Sequence, residues 1–200
     1  MAELQSSDVM MKIIRFLSSL LQRVAETNDL FGSYNSRKNS IFHGLTRPAI
    51  SIQGYLERIF KYANCSPSCY IVAYIYLDRF TQKQLSMPIN SFNVHRLLIA
   101  SVLISAKFMD DIYYNNAYYA KVGGISTAEM NLLEVDFLFG MSFQLNVSTS
   151  TFHHYLREMI FHLPPIIYAA PSLNIGTKPK LQFCVNEEGH TTHHQHQLAV

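Results

Sequence analysis

Leu97-Leu98-Ile99-Ala100-Ser101-Val102-Leu103-Ile104-Ser105-Ala106 is the stretch on which the fold turns. It carries no charge, and its only polar side chains are the small hydroxyls of Ser101 and Ser105. An aliphatic run of this kind can be a buried strand or a buried helix, and periodicity alone does not separate them. Its length and its Ala and Ser content favour helix. A helix that is apolar all round must be enclosed by others. The reading is therefore a central helix over residues 90–107, inside a globular orthogonal bundle rather than a coiled coil.

Helical spacing extends outward on both sides of this run. Ile13, Ile14, Leu17, Leu20, Leu21 and Val24 predict a helix over residues 9–26, followed by a polar loop from Asn28 to Ser36. A second helix is expected from Arg47-Pro48 to Tyr62, with Pro48 in the first turn. Ser66-Pro67 reads as an N-cap and first helical residue, opening a helix to about Thr81. After the central helix come a short helix over Ile112 to Tyr119, closed by Gly123-Gly124, and a capping box from Ser126 to Glu129. The helix after the box presents Met130, Leu133, Phe137 and Leu138, and a last one covers Ser150 to Phe161 before Pro164-Pro165. The fold class is all-α. The expected layout is an N-terminal helix and loop over 1–45, a five-helix bundle over 46–162, and a flexible His-containing tail over 163–200.

Hydrophobic residues make up 48% of the 200-residue chain and charged residues 15%, enough apolar material for one domain of about 100–150 residues plus tails. The net charge is only +2 and no basic stripe is visible, so nucleic acid is an unlikely partner. Three cysteines (Cys65, Cys69 and Cys184) without repeated spacing argue against a disulfide framework. The polar N-terminus lacks a signal-peptide core, and the longest apolar run is about half of what a bilayer requires. The expectation is a nuclear or cytoplasmic protein, neither secreted nor membrane-bound. No phosphate-cradling glycine loop, zinc-protease motif or nucleophile elbow occurs, so no enzyme is expected and no catalytic residue is assigned. His190, His193, His194 and His196 sit in the tail without pre-oriented partners, so neither a metal nor any other cofactor is assigned.

Three segments, in order, carry a family resemblance. Ala73-Tyr74-Ile75-Tyr76-Leu77-Asp78-Arg79-Phe80 resembles the second-helix signature of the cyclin box. The central run, with Lys107-Phe108 at its end, resembles the third helix. Glu129 to Leu138, closing with Met141-Ser142-Phe143-Gln144-Leu145, resembles the fifth. The resemblance covers about residues 12–160. Tyr55 to Tyr62, followed by Cys65-Ser66-Pro67, resembles more narrowly the plant P-type (U-type) cyclins, relatives of the yeast phosphate-pathway cyclin.

The resemblance implies a single cyclin box that binds and activates a cyclin-dependent protein kinase, in the cell cycle or in nutrient and phosphate signalling. It leaves open a cyclin-fold adaptor in transcription that activates no kinase. It implies no obligate homo-oligomer. Lys107 and Glu134 match the pair with which the family grips its kinase, and Phe108, Leu138 and Phe143 match apolar contact positions. By residue chemistry alone, Lys107 could simply snorkel and complement its helix dipole. Asp78 interrupts an apolar helix, and a buried charge must be paired. It matches the acidic partner of an Arg found in larger cyclins, but Ala49 stands at that Arg's position. The expected partner of Asp78 is therefore Arg47, Arg58 or a nearby Lys, in a structural salt bridge. The substrate-docking patch of the larger cyclins is altered in this chain, and no second box follows residue 160.

Overall fold

A computed structural model describes residues 7–31 and 40–161. Among these residues the chain forms seven helices and no strand: α1 (Ser7–Phe31), α2 (Ile52–Tyr62), α3 (Pro67–Lys83), α4 (Val94–Met109), α5 (Asn116–Gly123), α6 (Thr127–Gly140) and α7 (Thr149–Phe161). The segment over residues 163–200, with its histidines and Cys184, lies outside the described residues. Cys65 and Cys69 are free thiols.

The central helix is α4, and every residue from Leu97 to Ala106 is buried. Its two hydroxyls cost nothing there because each bonds within the helix. Ser101 Oγ donates to the Leu98 carbonyl at 2.8 Å, and Ser105 Oγ donates to that of Val102 at 2.9 Å. The broadest helix contact in the molecule is between α4 and α3, which is buried from Cys69 to Asp78 and again at Phe80. Around this pair, α2 and α5 close one side and α6 another. The N-terminal helix is part of the same core: Met10, Ile13, Ile14, Leu17 and Leu21 are buried in it, and α1 also packs on α2 and α7.

Several helix boundaries differ from the sequence reading, each for a local reason. The second helix starts at Ile52 rather than Pro48, because Ser51 caps it; its Oγ accepts from the Gly54 amide at 3.1 Å. The first helix runs on to Phe31, past the polar residues read as loop. Asn28 donates to the Ile89 carbonyl at 2.8 Å, and Asp29 pairs with Arg47 at 2.9 Å, so tertiary contacts hold the extra turn. The short helix begins at Asn116, capped by Asn115, which leaves Tyr113 and Tyr114 in the preceding loop. Ser66 has N-cap backbone angles, but its hydroxyl faces Cys69 Sγ at 3.4 Å and caps no amide. Ser126 does cap α6, accepting from the Glu129 amide at 3.1 Å. The Glu129 carboxylate, however, reaches Arg96 at 2.6 Å instead of closing the box.

Where α3 meets α6, the rings of Phe80 and Phe137 stack with centroids 4.6 Å apart, and Phe42 meets Phe80 edge-on at 5.4 Å. Gly140, the last residue of α6, lies against this stack, and a Cβ built there would overlap the Phe80 ring. That ring is held by Phe137 and Phe42 and has nowhere to retreat. Gly140→Ala should therefore lower the unfolding free energy by about 1–3 kcal/mol, the usual cost of overpacking a full core. The check is the urea midpoint; an unchanged midpoint would mean that the stack can shift.

Candidate functional site

Lys107 lies in the last turn of α4, where a cation complements the helix dipole. Glu134 lies in the middle of α6. The bundle brings them together: Lys107 Nζ is 2.7 Å from Glu134 Oε1, with both side chains partly exposed. The second carboxylate oxygen accepts from Asn116 Nδ2 at 2.7 Å. That amide also donates to Asn131 Oδ1 at 2.8 Å. Glu134 is thus fixed from α4 and from the first residue of α5, while Lys107 keeps ammonium protons directed to solvent. Asn116 went unnoticed in the sequence because an isolated Asn at a helix start reads as an ordinary turn residue.

The two helices that carry the pair also expose apolar side chains. Phe108 and Met109, at the end of α4, are 48% and 41% exposed. Helix α6 carries two apolar stripes. Met130, Leu133 and Phe137 point into the core, whereas Leu132, Val135 and Phe139 point to solvent. Spacings of three and four residues place the outer three on one face. Phe143 follows, 54% exposed, with its ring edge-on to Phe139 at a centroid distance of 5.1 Å. Exposed large apolar groups of this size are uncommon on a surface that meets only water. Of the contact positions inferred from resemblance, Phe108 and Phe143 are exposed. Leu138 is partly buried against the core, one turn on from Glu134 on the same helix face. The sequence reading picked the inner stripe of Met130, Leu133 and Phe137 and left Leu132, Val135 and Phe139 unremarked.

Asp78 is not in a salt bridge, contrary to the sequence expectation. Arg47 is bound to Asp29, and Arg58 donates to the Lys121 carbonyl at 3.0 Å. Lys83 reaches the Met141 carbonyl at 2.8 Å. Asp78 is fully buried, and its Oδ2 accepts from the Tyr155 hydroxyl at 2.5 Å and from Gln82 Nε2 at 2.8 Å. A phenol from α7 therefore stands where a cation was anticipated. Its Oδ1 has no hydrogen-bond partner among the described residues. Burial raises the Asp78 carboxyl to about 6, against the opposing pull of the Tyr155 and Gln82 hydrogen bonds and the Arg79 charge.

Among the described residues, no group of three or more His, Cys, Asp or Glu side chains could hold a metal ion. No described helix is long and apolar enough to cross a membrane.

With this geometry in view, the chain can be set beside known proteins. The family model for cyclins matches residues 7–145, from the start of α1 through the turn after α6. The chain belongs to the cyclin family. It is 59% identical to Cyclin-U4-1 of Arabidopsis thaliana over the whole of both chains. It is 53% identical to Cyclin-P4-1 of Oryza sativa subsp. japonica, over 88% of this chain and 84% of that one. Cyclin-U4-3 of Arabidopsis thaliana matches at 56% over 97% of this chain and 91% of its own length. The resemblance to plant U-type and P-type cyclins holds across the box. Cyclins are regulatory subunits rather than enzymes, and the role of this chain is regulatory.

The folded chain binds the Asp78 proton more tightly than the unfolded chain does, because the buried carboxyl titrates near 6 against an ordinary 3.8. This group therefore favours the folded state fully below about pH 4, and that support is lost as pH rises through 6. Asp78→Asn should remove the dependence. Relative to the variant, the native protein should lose about 3 kcal/mol between pH 4 and pH 7. Urea unfolding of both proteins across that range tests it; parallel curves would contradict it.

Proposed function

We propose that this chain binds a cyclin-dependent protein kinase through the face around Lys107 and Glu134 and activates it, in cell-cycle or phosphate signalling. One observation carries the reading: Lys107 and Glu134, distant in sequence, are fixed together at 2.7 Å on the surface, with the exposed Phe108 following Lys107 and Leu138 one turn on from Glu134. In a protein kinase, activity requires a mobile helix to sit inward so that its Glu pairs with the catalytic Lys and the metal-binding Asp aligns. A rigid surface can hold that helix if it binds the inward state better than the outward one. Phe108, Leu138 and Phe143 supply apolar area for this contact. Lys107 can donate to backbone carbonyls at one margin of the docked helix, and Glu134 can accept from amides.

Affinity purification of the full chain, followed by identification of the captured kinase and a phosphorylation assay, tests the proposal. Lys107→Ala with Glu134→Ala should weaken kinase binding by about 100-fold, the loss of two charge-assisted hydrogen bonds. Removing both members leaves neither charge stranded, and a partly exposed pair contributes about 0–1 kcal/mol to the fold, so thermal stability should hardly change. Undiminished kinase capture by the folded double variant would refute this location of the site. Capture without stimulated phosphorylation would leave an adaptor and refute activation.

A further inference from the structure

The last turns of α3 send a row of side chains to one backbone segment, the turn that follows α6. Tyr76 Oη donates to the Leu145 carbonyl at 2.7 Å. Arg79 Nη1 donates to the carbonyls of Gln144 at 2.9 Å and Asn146 at 2.8 Å. Lys83 Nζ donates to that of Met141 at 2.8 Å, and Gln84 Nε2 to that of Gly140 at 3.2 Å. A surface turn could leave these carbonyls to water at little cost, so their capture by one helix calls for a reason.

The reason lies in the two residues that α3 does not touch. Ser142 and Phe143 both have left-handed backbone, with φ of 54° and 57°. For residues with a Cβ this costs about 1 kcal/mol or more each, and it persists only where the surroundings impose it. The result is an outward Phe143, edge-on to Phe139. The backbone on either side is closed by Phe143 N–H to the Leu138 carbonyl and Leu145 N–H to that of Phe143, both 2.9 Å. Arg79 holds the far limb of the turn at two carbonyls through a single nitrogen.

We propose that Arg79 is a positioning residue for partner binding: by tying down Gln144 and Asn146 it keeps the strained turn closed, so that Phe143 is presented beside Phe139 before the kinase arrives. The inference rests on the kinase-binding reading above. A Phe143 already in place spares the ordering cost that a loose turn would add on binding. Arg79 acts through Phe143, so its effect should vanish when the ring is gone.

The test is a double-mutant cycle on the full chain, with the kinase captured in the purification above as probe. Arg79→Met keeps the aliphatic stem and removes the donors. It should weaken binding about 10-fold in the native background, and less than about 2-fold when Phe143→Ala is already present. Amide hydrogen exchange should rise at residues 142–146 in Arg79→Met and stay unchanged in α4 and α6. Arg79→Lys, which can reach one carbonyl, should fall between, and it carries the test if Arg79→Met does not fold. Equal losses in both backgrounds would mean that Arg79 does not act through Phe143, and unchanged binding or unchanged exchange would mean that it does not fix the turn. Either overturns the proposal while the kinase reading stands. Failure of the unaltered chain to capture any kinase overturns both.

Discussion

A helix with no polar face has to be enclosed from every side, and the rest of this molecule is arranged to meet that demand. Helix α4 has ten consecutive buried residues from Leu97 to Ala106, and the only hydroxyls among them are satisfied inside the helix. At roughly 1.5–3 kcal/mol for each large aliphatic side chain removed from water, this one segment outweighs any polar contact in the structure. α3, α2, α5 and α6 supply the walls. The enclosure also positions the charged pair. The burial of α4 ends at Ala106, so Lys107 reaches the surface in its last turn, and the helix that meets it there is α6, which carries Glu134. Joining core and surface in this way lets a regulatory subunit offer a rigid face without any loop having to order first.

The same demand shapes the polar exceptions. Asp78 lies on α3 at the contact with α7, and its partner is a phenol rather than a cation. A phenol adds no second buried charge, but it leaves the carboxylate short of stabilisation, and burial then raises its proton affinity. Helix α7 lies beyond the segment matched to the family, and it brings Tyr155 to Asp78, along with Met159 and an edge contact between Tyr155 and Tyr74 at 5.4 Å. Helix α1 seals the other flank, with its Phe16 ring edge-on to Tyr74 at 6.0 Å. Helices α1 and α7 therefore complete the core.

Much of this was legible in the order of residues. The all-helical class, the enclosed helix, the Ser126 cap and the Gly123-Gly124 stop follow from short-range rules, because each depends on neighbours three or four positions away. Boundaries set by distant contacts were less legible. The α1 extension depends on Ile89, Arg47 and Ser91, and the start of α2 at Ser51 overrode the signal from Pro48.

What the sequence determined by itself is which segments must be helices and which helix must be innermost, since burial on all faces follows from composition. Resemblance within it also identified Lys107 and Glu134. Only the tertiary structure decided that these two meet, that Asn116 holds them, and that Asp78 turns to Tyr155 rather than to an arginine. It also decided how α3 ties down the turn bearing Phe143. These are choices among chemically equivalent partners many residues apart. Local pattern cannot rank them; helix packing does, by bringing one partner within hydrogen-bonding distance and leaving the others engaged elsewhere.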